Sequence, residues 1–223
     1  MSEEPSVIFK TAPAKVDQVI KTLGETRAIA ILRKCPQSAL LNVVSAIEEA
    51  GFRMVEITLD STQPYDLIKQ VVSKHSGLIV GAGTVHFVDQ VKNVKKLGGR
   101  FIVAPNISEG VIAASLQSGL GVFPGGATPS EIYQATAFGA TGVKVFPAQQ
   151  LGGPSFIKAI ISPLLNPRLI PTGGVDIDNA ASYIEAGAFA VGVGSAVIQS
   201  ELIESGDFLN LEKALKRFMR SIL

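Results

Sequence analysis

The chain has 223 residues, 47% of them apolar, with 20 basic and 19 acidic side chains and a formal net charge of +1. Such balanced, unclustered charge excludes a nucleic-acid surface and a polybasic membrane patch, and no apolar run reaches the length of a membrane span. The single cysteine, Cys35, excludes an internal disulfide and fits a reducing compartment.

Met1 to Pro5 is polar and acidic and lacks the charged-then-apolar pattern of a secretory leader, so cytoplasmic residence is expected. The length suits one large core, and residues 1–223 are expected to form a single domain. Val16 to Leu23 has helical spacing and leads into the body of the chain as an extra N-terminal helix. A unit then repeats: a short apolar run, a helix, and a glycine. The runs are Ala28–Leu32, Met54–Leu59, Leu78–Val80, Phe101–Ala104, Gly121–Phe123, Gly142–Phe146, Arg168–Ile170 and Ala188–Val193. Their spacing of roughly 20–26 residues is that of a strand–helix unit with short loops. Gly51, Gly77, Gly98, Gly119, Gly139 and Gly187 stand where a helix needs a left-handed residue after its last turn. Thr128-Pro129-Ser130-Glu131 reads as a capping box, and Asp176 or Asp178 as the cap of the helix after Gly173-Gly174. Leu209–Leu223 reads as a last amphipathic helix, with Leu209, Leu211, Leu215, Phe218 and Met219 on one face.

The strands are apolar almost throughout, as parallel strands covered on both faces are. Eight such alternations in one domain predict an α/β fold, a (β/α)8 TIM barrel; a doubly wound open sheet is the alternative.

In barrels the chemistry sits at the C-terminal strand ends. That rule selects Arg33, Glu56, Thr58, Thr84, Pro105, Lys144, Thr172, Gly173, Gly174, Gly194 and Ser195. Lys144 lies between Val143 and Val145, with Phe146 beyond. A lysine enclosed by apolar residues loses part of its preference for the charged form, and a neutral amine can attack a ketone. The alternative is that its stem follows the strand and the ammonium reaches solvent. Glu56, between Val55 and Ile57, needs a partner if buried. It either caps a loop or, opposite Lys144, transfers protons. Arg33 is either a surface residue or a fork for a carboxylate. The glycines after the last two strands either make tight turns or bring N–H donors up to a phosphate. His86 reads as a loop residue and Cys35 as a packing residue. No His, Cys or carboxylate group has metal-ligand spacing.

These residues carry a resemblance. Val55-Glu56-Ile57-Thr58-Leu59, Gly81-Ala82-Gly83-Thr84-Val85, Val103-Ala104-Pro105, Val143-Lys144-Val145-Phe146-Pro147-Ala148, Pro171-Thr172-Gly173-Gly174-Val175 and Gly192-Val193-Gly194-Ser195 stand in the order of the 2-keto-3-deoxy-6-phosphogluconate aldolase family. That family includes the 4-hydroxy-2-oxoglutarate aldolases. The resemblance implies a Schiff-base role for Lys144 and a general acid/base role for Glu56. It implies a pyruvyl pocket around Thr84 and Pro105, with Phe146 beside the imine. It places the substrate tail and phosphate at Thr172, Gly173, Gly174, Gly194 and Ser195. It further implies class I chemistry without metal or cofactor, a small 2-keto acid or phosphosugar substrate, and a homotrimer. Some members carry Arg directly after the Glu-x-Thr-x motif, where this chain has Asp60. Others carry Arg at the end of the first strand, as in Ile31-Leu32-Arg33. Carboxylate binding is therefore expected at Arg33, with Asp60 at the pocket rim facing solvent.

Overall fold

The computed structural model describes residues 14–223; the N-terminal segment read above for targeting signals lies outside them. The chain begins with α1 (Ala14–Thr26) and continues β1 (Ala28–Leu32), α2 (Leu40–Glu49), β2 (Met54–Thr58), α3 (Pro64–Lys74), β3 (Ile79–Gly83), α4 (Val88–Lys96) and β4 (Phe101–Val103). It goes on through α5 (Glu109–Gln117), β5 (Gly121–Phe123), β6 (Gly125–Gly126), α6 (Pro129–Ala137), β7 (Val143–Val145), α7 (Gly153–Ile161) and β8 (Leu169–Pro171). It ends with α8 (Ala180–Glu185), β9 (Val191–Val193), α9 (Ser200–Glu204) and α10 (Phe208–Ile222).

All strand pairs are parallel. They run in the order β5-β4-β3-β2-β1-β9, with a second group β6-β7-β8. A bridge from Thr172 to Gly192 links β8 to β9. At the other end β5 passes through Pro124 into β6. Proline has no N–H for a ladder, so the strand changes partner there. The Pro124 carbonyl accepts from the Lys144 N–H at 2.9 Å, on the β7 side. The result is an α/β fold with a curled, all-parallel sheet wrapped by helices.

Two layers of apolar residues hold it. Outward-facing residues of the strands pack against the helices. Inward-facing Ile29, Met54, Phe101, Val103, Phe123 and Ile170 form a smaller core with Val19 and Leu23 of α1. Helix α1 therefore covers the N-terminal end of the sheet. Phe101 and Phe123 meet edge-on at 6.0 Å inside. Phe101→Ala would cost about 3–5 kcal/mol, because the rigid strands around it cannot collapse into the hole.

Several local expectations need correction. β3 runs on through Gly81-Ala82-Gly83 rather than stopping at Val80. Those glycines are ladder residues, paired with Glu56 and Thr58, in places where a side chain would not fit. Gly51, Gly98, Gly119, Gly139 and Gly187 have positive φ, but Gly77 does not; Leu165 and Asn166 take the left-handed positions before β8. Of the two aspartates, Asp176 does the capping: its Oδ1 accepts from the N–H groups of Asp178 (2.9 Å) and Asn179 (3.0 Å). The capping box at Thr128 forms as expected. On α10 the buried face is Leu211, Leu215, Phe218, Met219 and Ile222. Leu209 is 63% exposed, because its position lies about 200° around the helix from Leu211. Among the described residues no helix is long and apolar enough to cross a membrane.

Candidate active site

The strand ends surround a cavity of about 530 Å³. Every candidate residue carried over from the resemblance lines it: Arg33, Glu56, Thr84, Pro105, Lys144, Phe146, Thr172, Gly173, Gly174, Gly194 and Ser195. They come from seven strand ends and are brought together only by the curl of the sheet. Thr58 and His86 do not line it. The Thr58 hydroxyl lies 3.2 Å from Ser61 Oγ, beneath the wall. His86 is exposed, and its N–H donates to Gln90 Oε1 at 2.7 Å.

Lys144 is the middle residue of β7 and is half-buried, rather than enclosed by apolar side chains. Its backbone is fixed on both sides, by β6 and β8. Its Nζ lies 5.1 Å from the centroid of the Phe146 ring. That ring is 44% exposed and flanks the Gly173 turn.

Glu56 is 2% exposed, at the centre of β2. Its carboxyl occupies the space beside Gly83: a Cβ at that position would collide with it. Among the described residues no side chain or N–H donates a hydrogen bond to it. Burial pushes its pKa up, since water no longer solvates the charge. The charges of Lys144 and Arg33 oppose that rise, and Asp60 adds to it. A buried carboxylate without fixed donors, facing a cavity that holds an amine, is arranged to exchange protons with a molecule in that cavity.

Arg33 follows β1. Its Nη2 donates to Thr84 Oγ1 at 3.2 Å, and its Nε lies 3.7 Å from Asp60 Oδ2. Asp60 is exposed at the rim as expected, and it also faces the guanidinium. Thr84 accepts that bond from a left-handed backbone, φ 57°. With five N–H donors, the guanidinium keeps capacity for a carboxylate after these contacts. Ser61 was not legible as part of this wall. Its Oγ accepts from the Lys34 N–H at 2.9 Å and so ties the end of β1 to the loop after β2.

At the other side of the cavity, Gly173 and Gly174 have φ of 90° and 76°. Thr172 spends its hydroxyl proton on the Ile170 carbonyl at 3.3 Å, so towards a ligand it offers lone pairs. Lys34, Cys35 and Glu204 also line the cavity. The last sits on α9, a helix too short to stand out from the sequence. Burial pushes the Cys35 thiol up to about 11, which keeps it protonated and a poor nucleophile. Among the described residues no group of three or more His, Cys, Asp or Glu is placed to hold a metal ion.

This arrangement agrees with comparisons to known proteins. The family model "KDPG and KHG aldolase" matches residues 19–214. A 2-dehydro-3-deoxy-phosphogluconate aldolase of Treponema pallidum is 30% identical over 85% of this chain and 90% of its own length. A probable 2-dehydro-3-deoxy-6-phosphogalactonate aldolase of Rhizobium meliloti is 39% identical over 78% of this chain and 82% of its own. A solved structure described as native KDPGal superposes with a TM-score of 0.81 at 33% identity, covering 87% of this chain and 93% of that one. The chain belongs to the KDPG and KHG aldolase family and is a carbon–carbon lyase.

Proposed function

We propose that the protein is a class I aldolase that cleaves 2-keto-3-deoxy-6-phosphogluconate to pyruvate and glyceraldehyde 3-phosphate. 4-Hydroxy-2-oxoglutarate, cleaved to pyruvate and glyoxylate, is a further substrate. The observation that carries the reading is the placement of Lys144 and the buried, undonated carboxyl of Glu56 around one cavity. The Lys144 amine attacks the substrate ketone and loses water to form an iminium. Glu56, directly or through a water, takes the proton of the C4 hydroxyl. The C3–C4 bond breaks, its electron pair passes into the iminium to form an enamine, and the aldehyde leaves. Glu56 returns the proton to C3, and water hydrolyses the imine to free pyruvate and Lys144. No metal or cofactor takes part in this scheme.

Arg33 binds the keto-acid carboxylate, Thr84 and Pro105 shape the pyruvyl pocket, and Phe146 covers the imine. Gly173, Gly174, Gly194 and Ser195 receive the phosphate, in the loops that habitually do so in barrels, and Thr172 accepts from a hydroxyl of the substrate tail. In this reading the curled sheet is a closed (β/α)8 barrel, with α1 as the added N-terminal helix and residues 1–223 as one domain. The enzyme works in the cytoplasm as a homotrimer.

A second reading makes the phosphogalactonate epimer the preferred substrate. It is supported by the 39% identity to the Rhizobium meliloti relative, against 30% to the phosphogluconate aldolase of Treponema pallidum. Pyruvate release from the two epimers and from 4-hydroxy-2-oxoglutarate decides between them. Borohydride with pyruvate is expected to trap a covalent adduct on Lys144, with EDTA leaving activity intact. An adduct elsewhere, or an active Lys144→Ala variant, would overturn the class I assignment.

A further inference from the structure

Three consecutive carbonyls at the start of the glycine turn are held from behind. The Thr172 carbonyl accepts from the Ala148 N–H at 2.8 Å, and the Gly173 carbonyl from the Gln149 N–H at 3.1 Å. The Gly174 carbonyl accepts from Asn179 Nδ2 at 2.8 Å. In a trans peptide the C=O and the following N–H point in opposite directions. Holding these carbonyls therefore turns the N–H groups of Gly173, Gly174 and Val175 the other way. Those residues line the cavity; the Gly173 N–H turns towards β9 in the bridge between Thr172 and Gly192, whereas the N–H groups of Gly174 and Val175 have no backbone acceptor among the described residues. Two successive N–H donors at one concavity form an anion cradle.

The first two anchors are backbone groups and do not depend on which side chain follows β7. The third is a side chain. Asn179 is itself oriented: its Oδ1 accepts from the Asp176 N–H at 3.1 Å, which leaves its NH₂ for Gly174. The turn is also packed tightly. A Cβ on Gly174 would lie 2.5 Å from Gln149 Cβ, and Gln149 is held by the buried Tyr183, whose hydroxyl donates to its Oε1 at 3.2 Å.

We infer that Asn179 is a positioning residue for the substrate phosphate: its bond to the Gly174 carbonyl keeps the Val175 N–H, the second donor of the cradle, turned into the cavity. The inference rests on the reading of this turn as the phosphate end of the site. Asn179 never touches the reacting carbons, so its effect belongs in phosphate affinity alone.

Asn179→Asp tests this, because it keeps the acceptor for Asp176 and loses the donor to Gly174; Asn179→Ala removes both. Two readouts apply to wild type and variants: KM for the faster of the two phosphorylated epimers together with the Ki of inorganic phosphate, and the rate of borohydride trapping with pyruvate, which has no phosphate. For Asn179→Asp, loss of one hydrogen bond to the cradle is expected to raise KM and Ki together by about fivefold to tenfold. Trapping should keep its wild-type rate. Unchanged KM and Ki in both variants would overturn the role of Asn179 and leave the phosphate site standing. Equal losses in KM and in trapping would reduce Asn179 to a fold-supporting residue and overturn the inference. A wild-type enzyme that inorganic phosphate does not inhibit would overturn the phosphate reading itself, and the inference with it.

Discussion

Arg33 Nε stands 3.7 Å from Asp60 Oδ2, so the cation assigned to the substrate carboxylate and the aspartate that replaces a family arginine are partners. The guanidinium is 59% exposed and the carboxylate 35%, and a pair this wet contributes only about 0.2–1 kcal/mol. Its importance is geometric. Together with Thr84, Asp60 fixes which edge of the fork remains for the substrate. Asp60→Ala is therefore expected to raise KM about twofold to fivefold. Arg33→Ala should lower kcat/KM by an amount equivalent to roughly 2–4 kcal/mol, the loss expected when a desolvated carboxylate is left unpaired. Arg33→Lys should fall between them, because an ammonium does not reproduce the planar fork. If Arg33→Ala keeps its kcat/KM while Asp60→Ala loses it, the carboxylate lies elsewhere.

The same two residues act on Glu56 with opposite sign. Burial raises the Glu56 pKa, Arg33 lowers it, and Asp60 raises it. As the base, Glu56 must be ionised, so activity should fall with decreasing pH at a higher pH than an ordinary carboxylate would set. Asp60→Asn removes a raising influence and should move that acid limb down. Arg33→Gln removes a lowering influence and should move it up. Profiles of log kcat/KM against pH would show both displacements; shifts in the same direction would detach the limb from Glu56.

Glu56→Gln separates catalysis from stability. Turnover should drop about 10²–10⁴-fold, the usual contribution of a positioned acid/base group, while pyruvate trapping on Lys144 persists. Because the folded-state value of Glu56 is raised, the folded protein binds the proton more tightly than the unfolded chain. Its stability cost is absent below the unfolded value and complete above the raised one. The glutamine variant should therefore melt about 2–4 °C higher than wild type at neutral pH, for a relief of ~1 kcal/mol in a chain of this size. That gain should vanish at acid pH. Scanning calorimetry at both pH values checks it, and an equal gain at acid pH would point to packing rather than charge.

Gly83 offers a route to Glu56 without altering it. A Cβ there would collide with the carboxyl, so Gly83→Ala must push it aside. Turnover should fall at least about tenfold, since a small misplacement of a catalytic group is costly. Imine trapping should change little, because Lys144 stands on the far group of strands. Near-normal turnover would mean that the position of the Glu56 carboxyl is not critical.

Local information in the chain was enough for most of the elements and most of the cavity wall. β1 and β5 begin and end where their apolar runs do, because a strand covered on both faces has no polar residues to blur its edges. The period of strand, helix and glycine set the order of the elements, and the strand-end rule then picked out Lys144, Glu56 and Arg33. What failed locally failed for physical reasons. Gly81 and Gly83 lie beyond the apolar run Leu78–Val80, yet they are strand residues whose missing side chains make room for the Phe101 ring and the Glu56 carboxyl.

Only the tertiary structure decided which of these residues meet. The register of β1 on β2, with Ile31 beside Glu56 and Leu32 beside Ile57, carries Arg33 to the loop that holds Asp60. The left-handed backbones of Lys34 and Thr84 then turn the chain so that Arg33 reaches Thr84 and Asp60. Likewise, Asn179 reads as an ordinary polar residue before a helix until the fold sets its amide 2.8 Å from the Gly174 carbonyl. Composition and periodicity are sums over neighbours in the chain, and they specify which residues sit at strand ends. Pairing among those ends depends on register and loop conformation, which only the packed sheet determines.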